Sequence, residues 1–178
     1  MTADDLKALI RTVPDFPKPG ILFRDITTLI ADGQGFAATI ALLAGQAQAA
    51  GAQAIAGMEA RGFIFGAAAA ARLSLPFLPI RKPGKLPVPV LSIDYALEYG
   101  TDTLEVDPGA IAAGQRVVII DDLIATGGTA TAAVKLLRSA GAQVDTALFV
   151  IDLPDLDGAE RLRALDVEVS ALMAFPGH

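Results

Sequence analysis

Val117-Val118-Ile119-Ile120-Asp121-Asp122-Leu123-Ile124-Ala125-Thr126-Gly127-Gly128-Thr129 is the stretch from which the fold of this chain is read. Its four leading aliphatics have the composition of a strand buried on both faces, as in a parallel sheet. Asp121 and Asp122 are expected just beyond the C-terminal end of that strand. Open α/β sheets form their ligand crevice there. Ala125 to Thr129 then enters a helix. Gly127 and Gly128 let the backbone approach an anion, and the uncapped N–H groups of a first helical turn point at it. Thr126 and Thr129 add hydroxyl donors. A helix terminus contributes roughly 0.3–2 kcal/mol to a bound phosphate, so hydrogen bonds must supply the rest. The two carboxylates repel a phosphate; as pure acceptors they suit sugar hydroxyls, or a magnesium ion that bridges them to further phosphates. Anion donors beside hydroxyl acceptors fit a phosphorylated ribose.

Outward from this loop, helical patterns cover Ala3–Arg11, Gly35–Ala50, Phe63–Leu73, Thr129–Ala140 and Ala159–Leu165. Strand-like apolar runs cover Gln53–Gly57, Phe77–Ile80, Arg116–Ile120 and Thr146–Ile151. Their alternation predicts an α/β fold, a mostly parallel sheet flanked by helices. Gly51 and Gly141 stand where helices should stop. Asp15–Arg24, with Pro17, Pro19 and Gly20, reads as an irregular crossing segment. Asp25–Asp32 reads as a modest strand, so the G-x-G-x-x-A match at Gly33–Ala38 reads as a turn and helix start rather than a dinucleotide fingerprint. Lys82–Val106 opens with Pro83, Gly84, Pro87 and Pro89 and then alternates through Leu91–Glu105. It reads as a flexible loop leading into a hairpin, inserted in the core as lids and binding loops are.

At 178 residues the chain suits one domain, and 53% hydrophobic against 19% charged residues argues against disorder. The absence of cysteine excludes thiolate chemistry and is compatible with a cytoplasmic location. With His178 as the one histidine, Ser-His triads and His-based zinc sites are excluded. A net charge of -6 without a long Lys/Arg run disfavours nucleic acid. The most apolar segment, between Arg61 and Arg72, is too short to span a bilayer.

The aliphatic run followed by D-D-x-x-A-T-G-G-T closely resembles the signature of the type I phosphoribosyltransferases. Beyond it the likeness narrows to the adenine phosphoribosyltransferase family and runs nearly end to end. Phe16–Ile26 resembles that family's base-binding segment, Gly57–Gly66 its diphosphate loop, and Ile80–Pro87 with Leu97–Thr101 the two ends of its flexible loop; Pro176-Gly177-His178 is similar to bacterial members. Glu59-Ala60 replaces the Asp-Ser of many eukaryotic members, and Val88-Pro89-Val90 is less polar than in many relatives.

The resemblance implies transfer of phosphoribosyl from phosphoribosyl diphosphate to adenine, giving AMP and diphosphate with magnesium, on a homodimer. The ion is expected to be held mainly by the substrate diphosphate and ribose hydroxyls, with no protein metal site. The fold implied is one domain over residues 1–178, with a small hood from about residues 12–30 and the C-terminal segment, and a flexible loop at about 82–106. The ribose phosphate goes to Ala125, Thr126, Gly127, Gly128 and Thr129, and the ribose hydroxyls to Asp121 and Asp122. By resemblance the diphosphate goes to Arg61, Lys82 and Lys85, with Arg81 a candidate to act across a dimer interface. Adenine is placed against Phe23, read by main-chain groups of Leu22 and Arg24 and covered by Leu153. Glu98 is the candidate for proton handling at the purine nitrogen, with Tyr99 closing over the site. The family geometry also implies a cis peptide near Glu59-Ala60. Two alternatives stay open: the same chemistry on another base, and a regulator that senses the ribosyl donor.

Overall fold

The computed structural model describes residues 1–178. Five parallel strands form the central sheet, in the order β4 (Phe77–Ile80), β3 (Ala54–Met58), β7 (Arg116–Ile124), β8 (Gln143–Asp152) and β9 (Glu168–Ala174). Alternate residues of the inner strands serve opposite cores. Val117 and Ile119 pack with Ala54, Ala56 and Phe149 beneath α5 (Gly128–Ser139) and α6 (Gly158–Arg163). Val118 and Ile120 pack with Ile55, Leu148 and Val150 beneath α3 (Gly33–Ala49) and α4 (Arg61–Leu73). Both faces are therefore dry, which is why these strands read as unbroken aliphatic runs. Full burial of a side chain such as Ile120 contributes about 1.5–3 kcal/mol.

Ahead of the sheet lie α1 (Ala3–Ala8), the antiparallel pair β1 (Arg11–Pro14) and β2 (Leu22–Asp25), and α2 (Thr27–Ala31). Lys7 ties α1 to the C-terminal strand by donating to the Ala174 carbonyl at 2.6 Å. The insertion is a hairpin, β5 (Leu91–Ala96) paired with β6 (Thr101–Val106), as the alternation predicts. Leu104 and Val106 of β6 reach the core under α5, and Arg81 bridges main chain to main chain with Glu105. The base of the hairpin is thereby fixed to the sheet while its turn projects.

Several expectations need correction. The strand expected over Asp25–Asp32 is instead the end of β2 followed by α2, because Ile26 and Leu29 bury on one side at helical spacing. Asp15–Arg24 is irregular only to Ile21; Leu22–Arg24 pairs with β1. The first helix ends at Ala8, and Arg11 already belongs to β1. Asp121 and Asp122 lie inside β7, not beyond it, since Leu123 and Ile124 continue the ladder against Ile151 and Asp152 of β8. The edge strand β9 has no counterpart in the sequence reading. Gly51 and Gly141 follow α3 and α5 with positive φ, as expected of helix-ending glycines.

Candidate active site

β7 delivers Asp121 and Asp122 to the floor of a cavity of about 290 Å³. Arg61 at the start of α4 and Lys82 after β4 line one side, and Ala125 to Thr129 line the other. Gly127 enters α5 with φ 81°, and no side chain caps the helix, so its first amides face the cavity without a side-chain partner. The loop is braced from behind by the first residue of α6. A Cβ on Gly158 would stand 2.2 Å from the Ala125 carbonyl and 2.9 Å from the Gly127 nitrogen. Any side chain there would force the loop and the start of α6 apart.

The two acids differ in their surroundings. The Asp121 carboxylate lies so close to α4 that a Cβ on Gly62 would come within 2.6 Å of its Oδ1. That oxygen also accepts the Asp122 N–H at 2.9 Å. Burial, with the neighbouring Asp122 carboxylate adding to it, pushes Asp121 well above the usual carboxylate range. Asp122 is also raised by burial, although Arg61 Nε at 3.0 Å pulls against it. A buried acid pair of this kind is primed to accept hydroxyl hydrogens or to sit beside a cation.

A cationic rim surrounds the acids. Glu59, between β3 and α4, accepts from the Lys82 N–H at 2.7 Å, Arg81 Nε at 3.3 Å and Lys85 Nζ at 3.2 Å. Burial works against its charge, but the Lys82 amide and Lys85 outweigh it and hold Glu59 below the ordinary range. The Lys82 ammonium pairs with Asp102 and donates to the Tyr95 hydroxyl at 3.3 Å. Burial penalises Lys82 as well, and its bonds to Asp102 and Tyr95 outweigh that penalty, so it titrates above its ordinary value.

Arg61 joins this cavity to a second one of about 360 Å³, lined by Val13, Phe16, Phe23, Asp25, Ile26 and Thr27 as well. Its guanidinium lies 5.9 Å from the Phe23 ring centroid. Phe16 meets Phe23 edge-on at 5.1 Å. Two compartments, one anion-ready and one aromatic, share a single arginine.

A model of the phosphoribosyl transferase domain matches residues 27–173. The chain is 73% identical over its full length, and the full length of its relative, to a protein named adenine phosphoribosyltransferase from Novosphingobium aromaticivorans. Identity to the one so named from Erythrobacter litoralis is 70%, again complete on both sides. The chain belongs to the adenine phosphoribosyltransferase family. Among solved adenine phosphoribosyltransferases, the Thermoanaerobacter pseudethanolicus structure superposes with a TM-score of 0.92 at 48% identity, covering 98% of this chain and all of that one. The Saccharomyces cerevisiae enzyme, solved with an imino-altritol bisphosphate and adenine, superposes at 0.90 with 36% identity, covering 96% and 98%. Family membership makes the chain a pentosyltransferase.

Within the family's frame, Asp121, Asp122, Ala125–Thr129, Arg61 and Lys82 converge on the first cavity. Arg81 and Lys85 lie beside it, gathered on Glu59. Phe23 lines the second cavity, while Leu22 and Arg24 flank it along β2. The Arg24 side chain is turned toward Thr12 and the Pro176 carbonyl. Leu153 is buried just after β8 and lines neither cavity. Glu98 and Tyr99 occupy the exposed turn between β5 and β6, with Tyr99 82% exposed, and neither lines either of the two cavities. The Glu59–Ala60 peptide is cis, as the family geometry implies. Sequence reasoning missed Gly158, Asp102, Tyr95 and Phe16. Phe16 stands in the Phe16–Ile26 segment, where its neighbours signal it; the other three acquire their surroundings only through distant strands and helices.

Proposed function

We propose that this protein transfers the phosphoribosyl group of phosphoribosyl diphosphate to adenine, releasing AMP and diphosphate, a purine-salvage reaction. The observation that carries the reading is the pair of cavities joined at Arg61, with an uncapped α5 facing the half-buried Asp121 and the buried Asp122 across the first. That arrangement matches a phosphate, a ribose and a leaving diphosphate in one compartment and a flat base in the next.

In the proposed mechanism the amides and hydroxyls of Ala125–Thr129 hold the terminal phosphate, and Asp121 and Asp122 accept from the ribose hydroxyls. Positive charge builds on the sugar ring as the anomeric bond breaks, and the acid pair beneath it offsets that charge. Negative charge builds on the departing diphosphate, where Arg61, Lys82, Lys85 and Arg81 are gathered. Adenine stacks on Phe23. β2 has β1 as its single partner, so one edge of the strand keeps main-chain donors and acceptors for the base. A six-oxo purine would present an acceptor where the adenine amine donates, and such a mismatch discriminates by about 10⁴ or more. Glu98 takes the proton from the purine nitrogen, and Tyr99 excludes water, once the β5–β6 turn swings over the cavities.

Magnesium fits the donor set as an ion carried in with the substrate. The substrate diphosphate and ribose hydroxyls would mainly hold it, with Asp121 and Asp122 as neighbouring carboxylates. Bound there, the ion would neutralise charge on the leaving diphosphate. A homodimer is proposed on the likeness to the adenine phosphoribosyltransferase family. A cytoplasmic setting is proposed on the cysteine-free composition. No helix is long and apolar enough to cross a membrane.

Turnover tests the function directly. The protein, phosphoribosyl diphosphate and magnesium are incubated with adenine, hypoxanthine, guanine, xanthine or uracil, and the nucleotide formed is identified. AMP from adenine, with the other bases slower by orders of magnitude, is expected; equal use of another base, or no nucleotide at all, contradicts the reading.

A further inference from the structure

Each of the four cations proposed for the diphosphate is already paired with a carboxylate of the chain itself. Arg61 is on Asp122, Lys82 on Asp102, and Arg81 and Lys85 both end on Glu59. Asp122 has a role at the ribose; Glu59 has none in the proposed chemistry. Its side chain is only 12% exposed and takes three donors from the short segment Arg81–Lys85. Two of those donors are side-chain cations that a diphosphate could claim. The third, the Lys82 amide, is a main-chain group that fixes where the segment leaves β4.

We propose that Glu59 is a positioning residue for the ribosyl donor: an internal counter-ion that holds Arg81, Lys82 and Lys85 in binding geometry and yields the two side-chain cations to the incoming diphosphate. The proposal rests on the phosphoribosyl-diphosphate reading above. A diphosphate carries more charge and more oxygens than one carboxylate and accepts from arginine in two-pronged fashion, so it wins the exchange for Arg81 and Lys85. The Lys82 amide needs an oxygen rather than a charge and stays on Glu59. Donor affinity is then the difference between two sets of ion pairs, and Glu59 acts on it in two opposing ways. Its charge competes with the substrate, while its oxygens keep the segment in place.

The two roles separate by substitution. Glu59→Gln keeps an acceptor for the Lys82 amide and removes the competing charge. Glu59→Ala removes both. Calorimetric titration of phosphoribosyl diphosphate with magnesium, and of inorganic diphosphate, is run on both variants and wild type at low and high salt, with thermal melts as the folding control. Partly exposed ion pairs of this kind are individually weak, so E59Q is expected to tighten donor binding about threefold to tenfold at low salt. The gain should shrink in high salt. E59A is expected to bind more weakly than wild type. Steady-state kinetics should show E59Q with lower KM for the donor and lower kcat, because the product diphosphate also leaves more slowly. A residue with a merely structural role would move both variants in the same direction. Donor binding by E59Q that is equal to or weaker than wild type overturns the proposal. Wild type that binds neither ligand overturns the functional reading itself, and the proposal with it.

Discussion

Gly158→Ala is a sharp test because helix propensity and packing predict opposite outcomes. Judged by propensity alone, exchanging a helical glycine for alanine stabilises by roughly 0.5–1 kcal/mol. At Gly158 the new methyl would stand 2.2 Å from the Ala125 carbonyl, and relief to an ordinary contact at 3.4 Å requires a shift of about 1.2 Å. The group that must move is the phosphate-holding loop or the start of α6, since Gly127 and Ile124 press on the same position at 2.9 Å. Overpacking of this size costs about 1–3 kcal/mol, which for a chain of this length lowers Tm by roughly 2–12 °C. Misplacing binding groups by close to 1 Å costs on the order of 100-fold in rate. We expect kcat/KM for phosphoribosyl diphosphate to fall about 100-fold, with adenine binding changed much less. Steady-state kinetics and a thermal melt read both effects. Gly45→Ala is the matched control: it lies in α3 with nothing within 4 Å of the new methyl, and should stabilise by about 0.5–1 kcal/mol at unchanged activity. Wild-type kcat/KM in G158A would refute the claim that this glycine positions the phosphate loop.

Glu98→Gln should lower kcat more than about tenfold while leaving both KM values near wild type; unchanged turnover removes Glu98 from the proton transfer. Asp121→Asn should abolish donor binding yet raise Tm. Its folded pKa stands above the ordinary 3.8, so the native state holds more protons and loses stability as pH rises through that window. The Tm gain should therefore be full near pH 8 and vanish toward pH 3, and equal melting at pH 8 would contradict the burial cost assigned to this acid. Asp25 shows the opposite sign. Its bonds from the Thr27 amide and from Arg11 hold it at about 2, so its contribution is present above the ordinary carboxylate value and is lost as pH falls through about 2. D25N should melt about 1–4 °C lower at pH 7, with the difference shrinking below the ordinary carboxylate value and vanishing only below about pH 2.

The sheet was legible in the sequence wherever burial on two faces left no choice of residue. Val117–Ile120 could hardly be anything else, and the loop after it carried its chemistry in its own residue types. The N-terminal segment was less legible. Ile26 and Leu29 bury together only within the core beside α3, and a segment of five residues gives periodicity too little length to speak. The edge strand β9 has mixed burial and no turn glycine to announce it. Within the site, the residues carried by one continuous motif were found together. Those brought in from elsewhere, such as Gly158 behind the loop and Asp102 on Lys82, depend on tertiary approach, which no local pattern encodes. The placement of Asp121 and Asp122 within β7 follows the same rule, since the ladder to β8 decides where the strand ends.

The turn from β7 into α5 is proposed to hold the sugar phosphate while Asp121 and Asp122 take the ribose. A crystal structure of the protein with AMP is the decisive measurement. Phosphate oxygens should lie on the amides of Ala125 to Thr129, ribose hydroxyls on Asp121 and Asp122, and the base on Phe23. AMP bound elsewhere, with this turn left empty, would contradict it.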